Sequence, residues 1–331
     1  MKTHYLEYIN NSIVKAWDMP ALTNYNKNAY TYGEMAQKVA GYHILFEKMG
    51  LKKGDKVALC GSNSAEWGIA FLAASSYEAV VVPLLNDFHP DSVMTLTDHS
   101  EARIFFVSRE IWDKTDIARM PLLELVVILE DWQIAYAKNP AVKEVDDNMD
   151  ALFKEKYPNG FGPDDVNYPT DNFDDLALIN YTSGTTSAPK GVMLTYRNIS
   201  SNVQFGLSEI PNGPGDNIVS MLPMAHMYGM AFEYLYQLAG GTQIFFLGKV
   251  PSPKVLLNAL ATVQPYIVIT VPLVIEKIFK SSVFPTIRKP VIKLIMKVPG
   301  LASVIHKQIR KKLLHAFGGK IRSIVIGGAA I

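Results

Sequence analysis

The sequence predicts a layered α/β domain built on a mainly parallel sheet. Three observations carry that prediction. From Lys56 to Leu129, short β-branched runs alternate with stretches of helical periodicity. Glycine, proline and capping residues punctuate them in a β-α-β-α-β order. And 49% of the 331 residues are hydrophobic against 19% charged, enough apolar surface for one large or two medium domains.

Taken in order, residues 29–36 (Ala-Tyr-Thr-Tyr-Gly-Glu-Met-Ala) open a helix predicted to reach Met49. Val39, Ile44, Leu45 and Met49 recur at roughly helical spacing, and Gly50 supplies a C-cap. Lys56 to Cys60 reads as a buried strand. The turn at Gly61-Ser62-Asn63-Ser64 then caps a helix to about Tyr77. Ala79 to Leu84 is the next strand, Pro90-Asp91 starts a helix to about His99, and Arg103–Val107 and Leu125–Leu129 are further strands. Residues 136–175, rich in Asp, Asn and Pro, read as an irregular excursion. Beyond them the pattern resumes. Strands are expected at Leu176–Asn180, Asn217–Met221, Thr242–Leu247 and Ile267–Val271, and helices at about Met230–Ala239, Pro253–Gln264 and Pro272–Lys280. There is no internal repeat and no low-complexity tract.

Composition excludes several classes. No run of about 18 uncharged apolar residues predicts a transmembrane helix, and Met1–Glu7 lacks the apolar core of a signal peptide. Cys60 is the one cysteine, so no internal disulfide framework is possible, and its apolar neighbours predict a buried strand residue. The cytoplasm is the default compartment. No His/Cys cluster has the spacing of a zinc site, and Glu78, Asp87 and Asp91 read as solvated or capping carboxylates. Net charge is +1 but uneven: from Phe284 onward there are seven Lys and three Arg and no acid, against 22 basic and 31 acidic residues before, a net of −9. Such asymmetry predicts an anionic partner surface. The segment 287–312 interleaves Arg288, Lys289, Lys293, Lys297, Lys307, Arg310, Lys311 and Lys312 with apolar residues. It reads either as a peripheral membrane contact or as the solvated face of a helical hairpin broken at Pro299-Gly300. No nucleic-acid partner is expected. The chain closes on Ile324-Val325-Ile326-Gly327-Gly328-Ala329-Ala330-Ile331, which reads as a core strand entering a glycine turn, and truncation of a longer chain is the expectation.

The chemistry concentrates at Tyr181–Gly191, Tyr-Thr-Ser-Gly-Thr-Thr-Ser-Ala-Pro-Lys-Gly. Thr182, Ser183, Thr185, Thr186 and Ser187 offer hydroxyl donors, Gly184 lets a ligand approach the backbone, and Lys190 adds a point charge. That suits a polyanion such as a chain of phosphates. The competing reading is a solvated Ser/Thr turn. A Walker-type loop is excluded, because Gly-x-x-x-x-Gly-Lys-Ser/Thr does not occur.

With this loop placed between a strand and a helix, the stretch resembles the phosphate-binding signature of the AMP-binding, acyl-adenylate-forming superfamily. Ser187 stands where the common form has glycine. Four further stretches follow in the family's order: Tyr30-Thr31-Tyr32-Gly33-Glu34-Met35, Ala79-Val80-Val81-Val82-Pro83-Leu84, Leu222-Pro223-Met224-Ala225-His226 and Ile326-Gly327-Gly328-Ala329-Ala330. Leu-Pro-Met-Ala-His and the basic segment running into Phe317–Arg322 resemble long-chain fatty acyl-CoA synthetases most. The resemblance implies the large N-terminal domain of that fold, layered β-sheets with flanking helices, in subdomains of about 1–175 and 176–331.

The resemblance also implies a reaction. A carboxylate attacks the α-phosphate of ATP to give acyl-AMP and pyrophosphate, and the thiol of coenzyme A then displaces AMP. In that scheme Thr182, Ser183, Gly184, Thr185, Thr186, Ser187 and Lys190 hold the phosphates, with Mg²⁺ near Thr185 through the phosphates. Gly327, Gly328, Ala329 and Ala330 lie against adenine. His226, Met227, Tyr228 and Met230 line the acyl pocket, and His226 and Lys190 take the catalytic roles. Each has a plainer reading: His226 as a satisfied loop histidine, the methionines as core, the glycines as a strand-ending turn. The family's Mg²⁺-binding glutamate, ribose-binding aspartate and C-terminal catalytic lysine have no counterpart up to Ile331, so little ligase activity is expected of residues 1–331 alone. Adenylation of an aryl or amino acid, an amidase-like serine hydrolase and a non-enzymatic nucleotide-binding module are the competing functions. The amidase reading needs an upstream lysine, whereas Lys190 lies downstream.

Overall fold

In a computed structural model the described residues are 3–27, 29–182, 189–248, 251–282 and 301–328, and they form two sheets with helices between and around them. The strands, in chain order, are β1 (Pro20–Asn24), β2 (Ala29–Thr31), β3 (Lys56–Cys60), β4 (Val80–Leu84), β5 (Ala102–Val107), β6 (Leu125–Ile128), β7 (Ile134–Ala137), β8 (Leu176–Thr182), β9 (Lys190–Thr195), β10 (Asn217–Ser220), β11 (Gln243–Phe246), β12 (Ile267–Thr270) and β13 (Ser323–Ile326). The larger sheet has the order β7-β6-β5-β3-β4-β8-β9 and the smaller β13-β12-β10-β11-β1-β2. Both are parallel except at edges, where β7, β9 and β2 run antiparallel.

The central strands are continuous apolar runs because helices cover both faces. All five residues of β4 are buried, and so are the last four of β3, which end in the fully buried Cys60. Burial pushes the Cys60 thiol well above its ordinary pKa, so it behaves as a small apolar side chain.

Thirteen helices are labelled among the described residues: α1 (Tyr5–Lys15), α2 (Tyr32–Met49), α3 (Ala65–Ser76), α4 (Pro90–His99), α5 (Arg109–Trp112), α6 (Ala141–Asp147), α7 (Met149–Lys156), α8 (Tyr196–Glu209), α9 (Met227–Gly229), α10 (Tyr236–Gly240), α11 (Pro253–Val263), α12 (Pro272–Ser282) and α13 (Leu301–Ala316). A π-helical turn, Met230–Leu235, joins α9 to α10. The central helix is α3. Ser64 caps it by accepting from the Trp67 amide at 3.0 Å, and all of its residues except the half-buried Glu66 are buried. It touches β3 and β4 of the larger sheet and β1 of the smaller, so it is the layer between them. Gly68 is required there. A Cβ at Gly68 would meet the Tyr234 ring at 2.9 Å, and the Gly68 carbonyl accepts from the Tyr234 hydroxyl at 2.6 Å.

The structure departs from the sequence reading in five places. Residues 29–31 form β2, so the helix begins at Tyr32; Thr31 and Glu34 make a capping box there, and Gly50 ends it in the left-handed region, φ 71°. The excursion 136–175 contains α6 and α7, two short helices in a polar stretch whose local pattern is weak. The signature loop does not run from a strand into a helix: β9 intervenes, paired antiparallel with β8 from Leu176↔Thr195 to Thr182↔Lys190. The helix expected over 230–239 starts as a π-turn. Helix α1 and strand β1 carry no sequence expectation at all, yet β1 pairs with β11, over 200 residues away in sequence.

Candidate active site at the strand ends

In parallel sheets, ligands gather beyond the carboxyl ends of the strands. Three such ends carry the predicted site residues. The first is β8. Thr182 closes it and Lys190 opens β9 directly opposite, both exposed. Tyr181, one residue back, is buried, and its hydroxyl bonds His99 Nδ1 at 2.7 Å. Gly191 makes room for that packing, since a Cβ there would sit 2.9 Å from Ile179 and 3.3 Å from the Tyr181 ring. Ser183, Gly184, Thr185, Thr186 and Ser187 lie outside the described residues.

The second is β10. After Ser220 the chain turns through Met221–His226 under tight polar restraint. Glu233, fully buried on the π-turn, takes three donors on one oxygen: the amides of Met221 and Leu222, each at 2.9 Å, and the Ser220 hydroxyl at 3.1 Å. Burial pushes the Glu233 carboxyl up to about 8, and the three hydrogen bonds pull against that shift without cancelling it. Asn63, in the loop before α3, donates to the Leu222 carbonyl at 2.6 Å and accepts from the Met224 amide at 2.9 Å. Asn180, buried in β8, donates to the Ala225 carbonyl at 2.8 Å. So the segment that presents His226 is held from α3's loop, from the π-turn and from the strand that leads to Thr182.

His226 is exposed and caps α9, its Nδ1 accepting from the Tyr228 amide at 3.3 Å. Gly229 allows the tight return, because a Cβ there would lie 2.5 Å from the Pro223 carbonyl oxygen. Met227 and Tyr228 are half-buried, whereas Met230 is fully buried in the core. The third strand end is β13. Gly327 and Gly328 lie against a flat ring, that of Tyr228: a Cβ at Gly327 would come within 3.0 Å of it and one at Gly328 within 3.3 Å. Burial raises the Tyr228 phenol, Glu233 adding to the effect, and its hydroxyl donates to the Val325 carbonyl at 3.5 Å. Ala329 and Ala330 lie outside the described residues.

Sequence reasoning passed over Asn63, Asn180 and Glu233. Glu233 had a signal: it is the single charge in the apolar run Met230–Leu238. Asn180 is likewise the one polar residue in the strand run Leu176–Asn180. A separate cleft of about 1120 Å³ lies between α2 and α6–α7, and it contains none of the predicted site residues. Its aromatic wall already holds a cation of the chain, with Lys38 Nζ 5.1 Å from the Trp132 ring centroid and 5.9 Å from that of Tyr42. The described members of the predicted site lie instead at or just beyond the ends of β8, β10 and β13.

Known proteins share both sequence and fold with this chain. Long chain acyl-CoA synthetase 7, peroxisomal, from Arabidopsis thaliana is 29% identical over 267 residues, covering 75% of this chain and 35% of its own length. Fatty acyl-CoA synthetase B from Dictyostelium discoideum is 29% identical over 308 residues, 86% of this chain and 44% of its own. The chain thus spans well under half the length of these relatives. In fold it matches a red-emitting luciferase from Phrixothrix hirtus, with a TM-score of 0.73 at 17% identity over 100% of this chain and 57% of that one. The family profile described as AMP-binding enzyme matches residues 11–331. The chain belongs to the AMP-binding enzyme family, and its two-sheet α/β fold is that of the N-terminal domain of acyl-adenylate-forming enzymes.

Proposed function

We propose that this protein works in ATP-dependent acid–thiol ligation, with a long-chain fatty acid as the carboxylate and coenzyme A as the thiol. One observation carries the reading. The hydroxyl- and lysine-bearing strand ends at Thr182 and Lys190 are joined through Asn180 to the segment that presents His226.

Each residue then has a task. Thr182 and Lys190, with Ser183, Gly184, Thr185, Thr186 and Ser187 between them, bind and neutralise the β- and γ-phosphates. Such chemistry needs positioning and charge neutralisation more than a protein nucleophile. Magnesium bound with the nucleotide supplies further neutralisation. Among the described residues no three His, Cys, Asp or Glu converge as a metal site. The hydroxyl and lysine donors of the loop suit phosphates, and the ion is expected to reach the chain through them, near Thr185. His226 orients the acyl carboxylate or adenylate, Met227 and Tyr228 bound the acyl side, and Met230 supports them from the core. Gly327 and Gly328, with Ala329 and Ala330, offer bare backbone to adenine beside the Tyr228 ring.

The relatives' names support a fatty acid over an aryl or amino acid. Thermal unfolding with ATP plus palmitate, benzoate or alanine tests the choice, since a bound ligand stabilises by RT ln(1 + [L]/Kd). Palmitate alone should raise Tm beyond ATP. An equal rise with benzoate or alanine contradicts the fatty-acid reading.

A peripheral membrane contact is part of the same proposal. No helix among the described residues is long and apolar enough to cross a membrane. Lys307, Arg310 and Lys311 on α13 are exposed, a charge pattern suited to an anionic lipid surface. Residues 287–300 lie outside the described residues.

A further inference from the structure

The Asn180 side chain joins two parts of the site that the family reading treats separately. It belongs to β8, two residues before Thr182, and its amide donates to the carbonyl of Ala225, the residue before His226, at 2.8 Å. The bond is buried and spans 45 positions of sequence. β8 itself is held on both flanks, by β4 and by β9. The receiving segment is also stiff. Glu233 fixes the amides of Met221 and Leu222, Asn63 fixes Leu222 and Met224, and the His226 amide donates to the Pro223 carbonyl at 3.0 Å. Among the described residues, a displacement of the β8 end therefore has a direct polar path through Asn180 into a segment with little freedom to absorb it. Contiguous hydrogen-bonded routes of this kind are among the structures that carry energetic coupling between sites.

We propose that Asn180 is a positioning residue that couples the phosphate-binding strand end at Thr182 to the segment presenting His226, so that a polyanion bound at the first alters the second. The proposal rests on the functional reading above for the identity of the first ligand. It goes beyond that reading in naming the residue that transmits occupancy.

The test is amide hydrogen exchange on this chain, wild type and Asn180→Ala, with and without inorganic tripolyphosphate. That probe occupies a phosphate site but has no adenine or acyl group that could touch His226. Its binding is measured in parallel by calorimetry. Without ligand, Asn180→Ala should speed exchange at Met224 and His226 about fivefold, the effect of losing one buried hydrogen bond, and leave β12 unchanged. In the wild type, tripolyphosphate should slow exchange at those two amides. In Asn180→Ala that slowing should vanish while affinity for tripolyphosphate changes less than about threefold. Equal slowing in both proteins overturns the coupling. Binding that leaves Met224 and His226 unchanged in the wild type also overturns it, with the functional reading intact. Failure of the wild type to bind overturns both. If Asn180→Ala does not fold, Asn180→Thr replaces it, a strand-compatible side chain with one atom less of reach.

Discussion

Glu233 gives the protein a pH dependence that can be isolated from the rest of its titration. The carboxyl is fully buried, and burial raises it from an ordinary 4.5 to about 8. The folded state therefore binds a proton more tightly than the unfolded state does. The stability this contributes is complete below the unfolded value and is lost as pH rises through about 8. With those two values, linkage removes about 3 kcal/mol between pH 5 and pH 8. Glu233→Gln keeps the volume and an acceptor for the Met221 and Leu222 amides but cannot ionise. The difference between the two proteins cancels every other titration. Denaturant unfolding from pH 5 to pH 8 should give a wild type that loses about 3 kcal/mol relative to Glu233→Gln, so that the variant gains on the wild type as pH rises. Parallel pH profiles would refute the reasoning, and would mean that the three donors on Oε2 hold Glu233 ionised throughout.

Other consequences follow from single contacts. Gly229→Ala should destabilise by about 2 kcal/mol or more in denaturant unfolding, because its Cβ would sit 2.5 Å from the Pro223 carbonyl oxygen; glycine-to-alanine in a relaxed helix would have the opposite sign. Gly68→Ala should be costly for the same reason, since the Tyr234 ring lies 2.9 Å from the added atom in the layer between the sheets. Vesicle flotation should bring the chain up with anionic but not neutral lipid. Lys307→Glu, Arg310→Glu and Lys311→Glu together should weaken that binding, and salt should weaken it in the wild type.

Much of the fold was legible because its signals are local. Ser64 before Ala65, Pro90 at a helix start, Gly50 past a helix end and the run Val80-Val81-Val82 each announce an element through chemistry confined to a few neighbours. What was hidden is long-range. Nothing near Pro20–Asn24 says that β1 lies beside β11, nor that α3 separates two sheets rather than covering one. Strand β9 was missed because Val192 and Met193 are exposed at a sheet edge, so burial does not impose the alternation that marks a half-buried strand. At the site, the motif residues Thr182, Lys190, His226, Gly327 and Gly328 could be named from the sequence. Their supports could not. Asn180 meets Ala225 across 45 residues and Asn63 meets Met224 across 161, and an asparagine in a strand or a turn has many uses. The Tyr228 ring against Gly327 is equally invisible until β12 is placed between β10 and β13 in the sheet.

The central claim is that the β8–β9 connection binds the phosphates of ATP, and calorimetric titration of ATP into the wild-type chain and Lys190→Ala tests it most directly. Lys190 is exposed at the strand edge, so its loss should change stability by less than about 0.5 kcal/mol. The account predicts that ATP binds the wild type and that Lys190→Ala weakens it at least about tenfold, as removal of a charge-assisted phosphate contact should. Equal affinities in the two proteins, or a wild type that does not bind ATP, would contradict it.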